Sequence, residues 1–224
     1  MTADFQQLRI KMVDGQLRTT DVTNIALQDA MLAVPREEFV SAGKRDLAYI
    51  DEDLEILPAR DGMPPRFLME PSPFARLVQL ADVTSADFVL DVGCGTGYSS
   101  AVLSRLAGSV VALESEAALA ESAAATLERL GCDNVAVTQG ALSAGYPGEA
   151  PFDVILINGA VDQVPQELLA QLKDGGRLVA IVGTGNAGRA MIFVREGELF
   201  SSRTVFNAAV KPLAEFRRQP EFEF

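Results

Sequence analysis

Histidine and tryptophan are absent from this chain of 224 residues, and cysteine occurs only twice. Without histidine, a serine–histidine catalytic triad and a histidine-containing zinc site are excluded. Cys94 and Cys132 do not form a paired metal-ligand spacing, so we expect both to be small, buried or half-buried side chains and expect no metal site. Two unpaired cysteines are typical of a reducing, cytoplasmic compartment.

Long apolar runs and an excess of positive charge are also lacking. No segment has the ~18 uninterrupted apolar residues of a membrane-spanning helix. Residues 1–7 show no basic leader followed by an apolar run. The formal net charge of −12 opposes binding to nucleic acid or to an anionic membrane through the overall field. We therefore expect neither as a partner.

From Phe88 onward, short apolar runs alternate with helical windows, which is typical of βαβ units around a parallel sheet. A crossover helix is predicted at Ser115–Leu130, ended by Gly131. Another helix is predicted to begin at Pro165 and to stop at Asp174–Gly176. The predicted parallel strands are Phe88–Val92, Ser109–Leu113, Asn134–Thr138, Phe152–Ile157 and Arg177–Val182.

The two ends of the chain complete the predicted architecture. Ala190–Arg195 and Leu199–Val210 flank a Glu-Gly-Glu turn and predict an antiparallel hairpin. Between Asp21 and Phe39, apolar residues at helical spacing predict a helix, and Val34-Pro35 breaks its pattern. A second helix is predicted to follow Pro73. Asp51–Arg66, rich in proline and acids, is predicted to be an irregular connection that covers a cleft.

The expected fold class is α/β: a Rossmann-like, doubly wound, mostly parallel sheet with a C-terminal antiparallel hairpin and an N-terminal helical extension. Residues 1–80 are expected to form the extension and substrate-side cover, and residues 81–224 the cofactor-binding unit, within one compact whole.

A glycine-rich turn directly follows the first predicted parallel strand. Glycine there lets the backbone turn tightly and approach a ligand without an intervening Cβ atom. Tyr98 stands where a dinucleotide fingerprint requires its third glycine. The D-x-G-x-G-x-G form suits S-adenosylmethionine, which carries no phosphate and whose methionine portion needs room and backbone hydrogen bonds. The predicted cofactor-binding residues of the turn are Asp91, Gly93, Cys94, Gly95 and Gly97.

Two further predicted strands end in polar side chains. Glu114 ends the second strand about twenty residues beyond the turn, where a carboxylate accepts hydrogen bonds from ribose hydroxyls. Alternatively it is an exposed acid near a helix N-terminus. Ser115 follows it as a further cofactor-binding candidate. Asn158 and Gly159 end the fourth strand, and Asn158 either contacts cofactor or substrate or caps the chain from Gly159 onward.

Beyond the shared glycine turn, the chain resembles the protein-L-isoaspartate O-methyltransferases, which methylate the carboxylate of isoaspartyl residues in damaged proteins. The resemblance implies S-adenosylmethionine as cofactor and a protein or peptide as substrate. The Val-Pro-Arg-Glu-x-Phe-Val segment is its most family-specific part. The segments that carry the resemblance are Gln16–Arg18, Val34–Val40, Ala48–Asp51, Val89–Tyr98, Pro151–Asp153, Leu172–Leu178 and Val210–Leu213.

The sequence departs from this family at two places. Phe67 and Met69 replace the threonine and serine of its Thr-Ile-Ser-x-Pro segment, and nearby Ser72 is expected to be a surface residue. Gly140 and Ala141 are expected to receive the adenine, because they stand where the family has Gly-Asp. The missing aspartate leaves backbone groups for that contact.

The family resemblance implies a carboxylate acceptor, which is ionised at neutral pH and needs no general base, so the lack of histidine is compatible with it. An anionic acceptor predicts a cation near the cleft, and the candidates are Arg18, Arg36 and Arg66. No catalytic residue is assigned. Two other hypotheses remain: a non-catalytic sensor or partner-binding protein that holds the cofactor or its demethylated product, and a nicotinamide-dependent oxidoreductase, which Tyr98 disfavours.

Overall fold

A computed structural model describes residues 4–60 and 62–217 of the chain. Residues 1–3 and 218–224 lie outside the described residues, as does Asp61 of the predicted connection. Parts of both predicted units and of the N-terminal segment 1–7 therefore fall outside the description. No helix in the described ranges is long and apolar enough to cross a membrane.

Seven strands form one sheet in the order β5-β4-β3-β6-β7-β8-β9. The pairs β5–β4, β4–β3, β3–β6 and β6–β7 are parallel, whereas β7–β8 and β8–β9 are antiparallel. The predicted fold class is therefore confirmed. The strands are β1 (Leu54–Leu57), β2 (Arg66–Leu68), β3 (Phe88–Val92), β4 (Ser109–Glu114), β5 (Val135–Gln139), β6 (Phe152–Val161), β7 (Leu172–Val182), β8 (Arg189–Glu196) and β9 (Leu199–Asn207).

The strand order reverses next to β3, because the chain builds β4 and β5 on one side and then returns to place β6 on the other. In open parallel sheets, ligands bind at the carboxyl ends of the strands at this point. The helices that pack beside the sheet are α1 (Phe5–Met12), α2 (Ile25–Ala33), α3 (Pro71–Ala81), α4 (Tyr98–Leu103), α5 (Ala117–Arg129) and α6 (Gln166–Leu169).

Both faces of the central strands are buried, which explains their uninterrupted apolar runs. Val89 belongs to the larger apolar cluster, which also contains the buried residues of α1 to α5. Its neighbour Leu90 belongs to a second cluster on the opposite face, with Leu168 of α6 and Leu213 near the C-terminus. Because residues 1–80 and 81–224 share the larger cluster, the N-terminal helices pack on the sheet; their division into two units stays a prediction.

The predicted helix that Val34-Pro35 ends is confirmed as α2, which Asn24 caps through the amide of Leu27 (3.0 Å) and which Pro35 separates from a short 3₁₀ turn. Two other predicted local structures are wrong, each for a physical reason. Asp174–Gly176 does not stop a helix; it is an irregularity inside β7, where the register with β6 shifts. Part of the irregular Asp51–Arg66 connection is instead the antiparallel hairpin β1–β2, with Leu54 opposite Leu68 and Leu57 opposite Arg66.

Candidate cofactor site

The glycine-rich turn lies between β3 and α4, at the carboxyl end of the central strands. Gly93, Gly95 and Gly97 have φ angles of +76°, +59° and +97°, which side chains other than glycine rarely adopt. The amides of Gly93 and Cys94 donate to the Leu113 carbonyl over 2.8 and 3.2 Å. These bonds hold the turn against the end of β4.

Asp91 is fully buried beneath this turn and serves as an anchor for its neighbours. Its carboxylate accepts hydrogen bonds from Ser99 and Ser100 Oγ, both at 2.6 Å, and from the side-chain amide of Asn158. Burial raises the pKa of Asp91 to about 6. The strand β6 continues past Asn158 to Val161, so the expectation that Asn158 and Gly159 end it is wrong. Its register with β7 shifts there instead.

Glu114, at the end of β4, is completely buried, so the alternative of an exposed acid is wrong. Its carboxylate accepts from three backbone amides: Gly95 (2.8 Å), Ser115 (2.9 Å) and Glu116 (3.1 Å). It also forms a bidentate ion pair with Arg66, at 2.6 and 2.9 Å. A ribose-binding role for Glu114 stays a prediction, because in this structure the Arg66 guanidinium binds both oxygens of its carboxylate.

Two small cavities lie near these residues, the first at the glycine turn and the second at Arg66. The first, of about 10 Å³, brings together four predicted site residues with side chains from the hairpin β1–β2 and from α3. The second, of about 20 Å³, lies beyond Arg66, next to Ser115. Each has room for about one water molecule. The first is lined by Gly93, Cys94, Gly95, Asn158, Ile56, Phe67, Met69 and Phe74, among others. The second is lined by Met63, Pro64, Arg66, Ser115, Glu116, Leu142, Leu213, Ala214 and Glu215.

Besides Asp91 and Glu114, three further predicted site residues line neither cavity: Gly97, Gly140 and Ala141. A Cβ atom on Gly97 would lie 3.1 Å from Leu127 Cδ1, so this glycine allows the turn to pack closely on α5. The Gly140 amide donates to the Glu114 carbonyl at 3.0 Å. Ala141 is exposed. An adenine contact at Gly140 and Ala141 stays a prediction.

Of the three candidate cations, Arg66 alone reaches the cleft. Arg18 pairs with Asp14 at 2.6 Å on the surface. Arg36 is fully buried, and burial lowers the pKa of its guanidinium. It donates to the Ala48 and Met69 carbonyls, both at 2.7 Å.

The replaced Thr-Ile-Ser positions form an apolar wall of the first cavity. Met69 is buried, and Lys211 Nζ lies 5.5 Å from the centre of the Phe67 ring. Ser72 is not a surface residue as expected. It is buried at the start of α3, where its hydroxyl donates to Thr20 Oγ1 over 2.9 Å.

Sequence reasoning missed the residues that press on the glycine turn from distant segments. A Cβ atom on Gly95 would lie 2.7 Å from Ile56 Cδ1, and one on Gly93 would lie 3.1 Å from Leu213 Cδ1. Glu215 accepts a hydrogen bond from the Leu142 amide at 3.0 Å. Apart from the family-like closing segment around Leu213, no local pattern marks these contacts.

Comparisons with known proteins identify the family of this chain. The family model described as protein-L-isoaspartate(D-aspartate) O-methyltransferase matches residues 9–215. The chain belongs to this family. Among curated members, it is 41% identical to the protein-L-isoaspartate O-methyltransferase of Koribacter versatilis over 176 residues, covering 79% of this chain and 77% of that one. It is 37% identical to the enzyme of Roseiflexus castenholzii over 210 residues, covering 94% and 93%.

Solved structures of family members share the fold. One protein-L-isoaspartate O-methyltransferase superposes with a TM-score of 0.78 at 27% identity, covering 93% of this chain; this chain spans 65% of the length of that one. A Plasmodium falciparum protein described as a member of the same family, in complex with S-adenosyl-L-homocysteine, superposes with a TM-score of 0.75 at 17% identity, covering 95% of this chain and 99% of that one. At that identity the second likeness supports the fold alone.

Whether the site can hold the family's cofactor, S-adenosylmethionine, depends on its hydrogen-bonding groups and on its free space, and these two differ. A glycine turn and a carboxylate at the switch point have the chemistry to hold a methionine portion and a ribose. The space does not fit: Glu114 is already fully hydrogen-bonded, Ile56 covers Gly95, and the cavities admit about one water each. The family uses S-adenosylmethionine, and in this arrangement the hairpin β1–β2 covers Glu114 and Gly95.

Proposed function

We propose that this chain is an S-adenosylmethionine-dependent O-methyltransferase that acts on the carboxylate of isoaspartyl residues in proteins or peptides. The observation that carries the proposal is the family match over residues 9–215, which includes both the glycine turn and Glu114. A cytoplasmic location stays a prediction from the two unpaired cysteines.

The residues around the first cavity suit an acceptor that needs no activation. When bound, the cofactor supplies a methyl group on a positively charged sulfur. A carboxylate is ionised at neutral pH, so this chain needs no histidine to remove a proton from it. Phe67, Met69 and Phe74 line the cavity with apolar surface, which excludes water from the acceptor. The protein's main task is then to align the acceptor.

Hydroxyl groups at the Thr-Ile-Ser positions are not available to hold the acceptor. The polar groups left for that role are the side-chain amide of Asn158, the hydroxyls of Tyr98 and Ser99, which line the same cavity, and the backbone of the Phe67–Met69 segment. Arg36, which belongs to the Val34–Val40 motif, donates a hydrogen bond to the Met69 carbonyl and so holds this segment in place. The sensor alternative receives no support from the comparisons, and the nicotinamide alternative is excluded by the family assignment.

Methyl transfer tests this proposal directly. The protein is incubated with labelled S-adenosylmethionine and an isoaspartyl peptide, beside the aspartyl peptide of the same sequence. We expect label on the isoaspartyl peptide alone. Glu114→Gln should lose transfer, whereas Glu121→Gln, an exposed residue of α5, should keep it. Cofactor binding without transfer to either peptide would refute the proposed acceptor.

A further inference from the structure

The hairpin β1–β2 covers two of the predicted cofactor-binding residues, Gly95 and Glu114. Arg66, in β2, is 8% exposed and reaches across to the fully buried Glu114. Ile56, in β1, lies against the glycine turn at Gly95. Both strands of one hairpin therefore contact the two elements of the candidate site.

The contact between Arg66 and Glu114 uses the same atoms as ribose binding. A guanidinium presents two parallel N–H donors to the two oxygens of a carboxylate. Two neighbouring ribose hydroxyls would donate to the same oxygens. With Arg66 in place, the carboxylate accepts six hydrogen bonds: two from Arg66, three from backbone amides and one from the Ser115 hydroxyl at 3.4 Å. Since a carboxylate offers about four lone-pair sites, no acceptor capacity remains for a ribose.

The backbone donors to Glu114 do not depend on Arg66. The amides of Gly95, Ser115 and Glu116 belong to the glycine turn and to the start of the segment after β4. They would keep the carboxylate oriented after Arg66 leaves. The cofactor-binding geometry of Glu114 is thus already formed, and the guanidinium covers it.

The hairpin is separate from the main sheet, so it can move without breaking a strand of that sheet. Its own sheet has two strands of four and three residues. Two-stranded hairpins of this size have little stability of their own, and the buried side chains of Leu54 and Leu68 anchor this one in the larger apolar cluster. At its tip, Arg60 pairs with Glu116 at 2.8 Å with about half of the arginine side chain exposed, which adds a weak surface contact.

From these contacts we propose that Arg66 competes with the cofactor ribose for the carboxylate of Glu114. The hairpin β1–β2 closes the site through the Arg66–Glu114 ion pair and has to withdraw before the cofactor binds. This inference rests on the proposed function for the identity of the ligand. Its thermodynamic consequence is that the apparent dissociation constant equals the intrinsic one divided by the fraction of molecules with the hairpin withdrawn. Weakening the ion pair increases that fraction.

Calorimetric titration with S-adenosylhomocysteine tests the competition without requiring turnover. Arg66→Ala removes the guanidinium, Arg66→Lys keeps the charge but loses the bidentate geometry, and Arg60→Ala removes the exposed arginine of the same hairpin. We expect Arg66→Ala to bind at least about tenfold more tightly than the wild type. Arg66→Lys should be intermediate, and Arg60→Ala should stay within about twofold.

Hydrogen exchange on the wild-type protein gives a second readout that does not depend on a variant folding. Saturating S-adenosylhomocysteine should speed exchange of the amides at 54–57 and 66–68 and slow it at 93–97. Equal or weaker binding by Arg66→Ala, binding by neither protein, or unchanged exchange in the hairpin would each overturn the proposal.

The two proposals fail separately. Tighter cofactor binding by Arg66→Ala with no transfer to the isoaspartyl peptide would support competition by Arg66 and refute the proposed acceptor. Transfer to that peptide with equal affinities of the wild type and Arg66→Ala would support the proposed function and refute competition by Arg66.

Discussion

Replacing Arg36 with methionine should destabilise the protein strongly, although the residue carries a charge. The side chain is fully buried, and its guanidinium satisfies the Ala48 and Met69 carbonyls at 2.7 Å while lying 4.6 Å from the centre of the Tyr98 ring. Leaving two buried carbonyls unpaired costs about 1–3 kcal/mol each, and relief of the buried charge offsets part of this loss. We expect a net loss of about 2–4 kcal/mol in the free energy of unfolding.

Urea unfolding followed by far-ultraviolet circular dichroism measures this loss, since the chain has no tryptophan for fluorescence. The midpoint should fall while the slope of free energy against urea stays the same. Arg18→Met is the matched control, because Arg18 forms a surface pair with about half of its side chain exposed and should change stability by less than about 0.5 kcal/mol. If Arg36→Met matched Arg18→Met, the structural role assigned to Arg36 would be wrong.

Two further predictions concern the glycine turn. Burial raises the pKa of Asp91 from its ordinary 3.8 to about 6, so the folded protein binds more protons than the unfolded chain between these values. Its contribution to the free energy of unfolding should therefore fall by roughly 3 kcal/mol as pH rises from about 4 to about 6. Urea titrations across this range should show that loss of stability in the wild type and not in Asp91→Asn. Parallel pH profiles of the two proteins would contradict the prediction. Gly95→Ala and Gly131→Ala both place a side chain at positive φ, costing about 1–2 kcal/mol, but the Cβ atom meets a neighbour within 4 Å only at Gly95. Thermal melts should thus show the larger loss for Gly95→Ala, and calorimetry should show weaker S-adenosylhomocysteine binding only for that variant; equal effects would exclude a contact at the turn.

The sheet and the glycine turn could be predicted because their signals are local. The alternation of apolar runs with helical windows marks the parallel strands, and three alternating glycines mark the turn. All three glycines have positive φ in the structure. The family-specific segment around Arg36 was visible too. Its structural role was not, because charged residues are mostly exposed and the carbonyls that bind this arginine lie 12 and 33 residues away.

The closed state of the site could not be predicted, because it depends on long-range pairing. The strands of the hairpin β1–β2 are too short to show a clear period, and prolines in the intervening loop suggested an irregular segment. Arg66 and Glu114 are separated by 48 residues. The sequence predicted a ribose-binding role for Glu114 and named Arg66 among three candidate cations near the cleft, but it did not predict that these two side chains pair.

The most direct test of the account is a crystal structure of the protein with S-adenosylhomocysteine bound. We expect the ribose hydroxyls at Glu114, the hairpin β1–β2 displaced, and the 2.6 and 2.9 Å contacts between Arg66 and Glu114 lost. A bound ligand with Arg66 still paired to Glu114, and with the ribose held elsewhere, would contradict both the assignment of the carboxylate and the role of the hairpin.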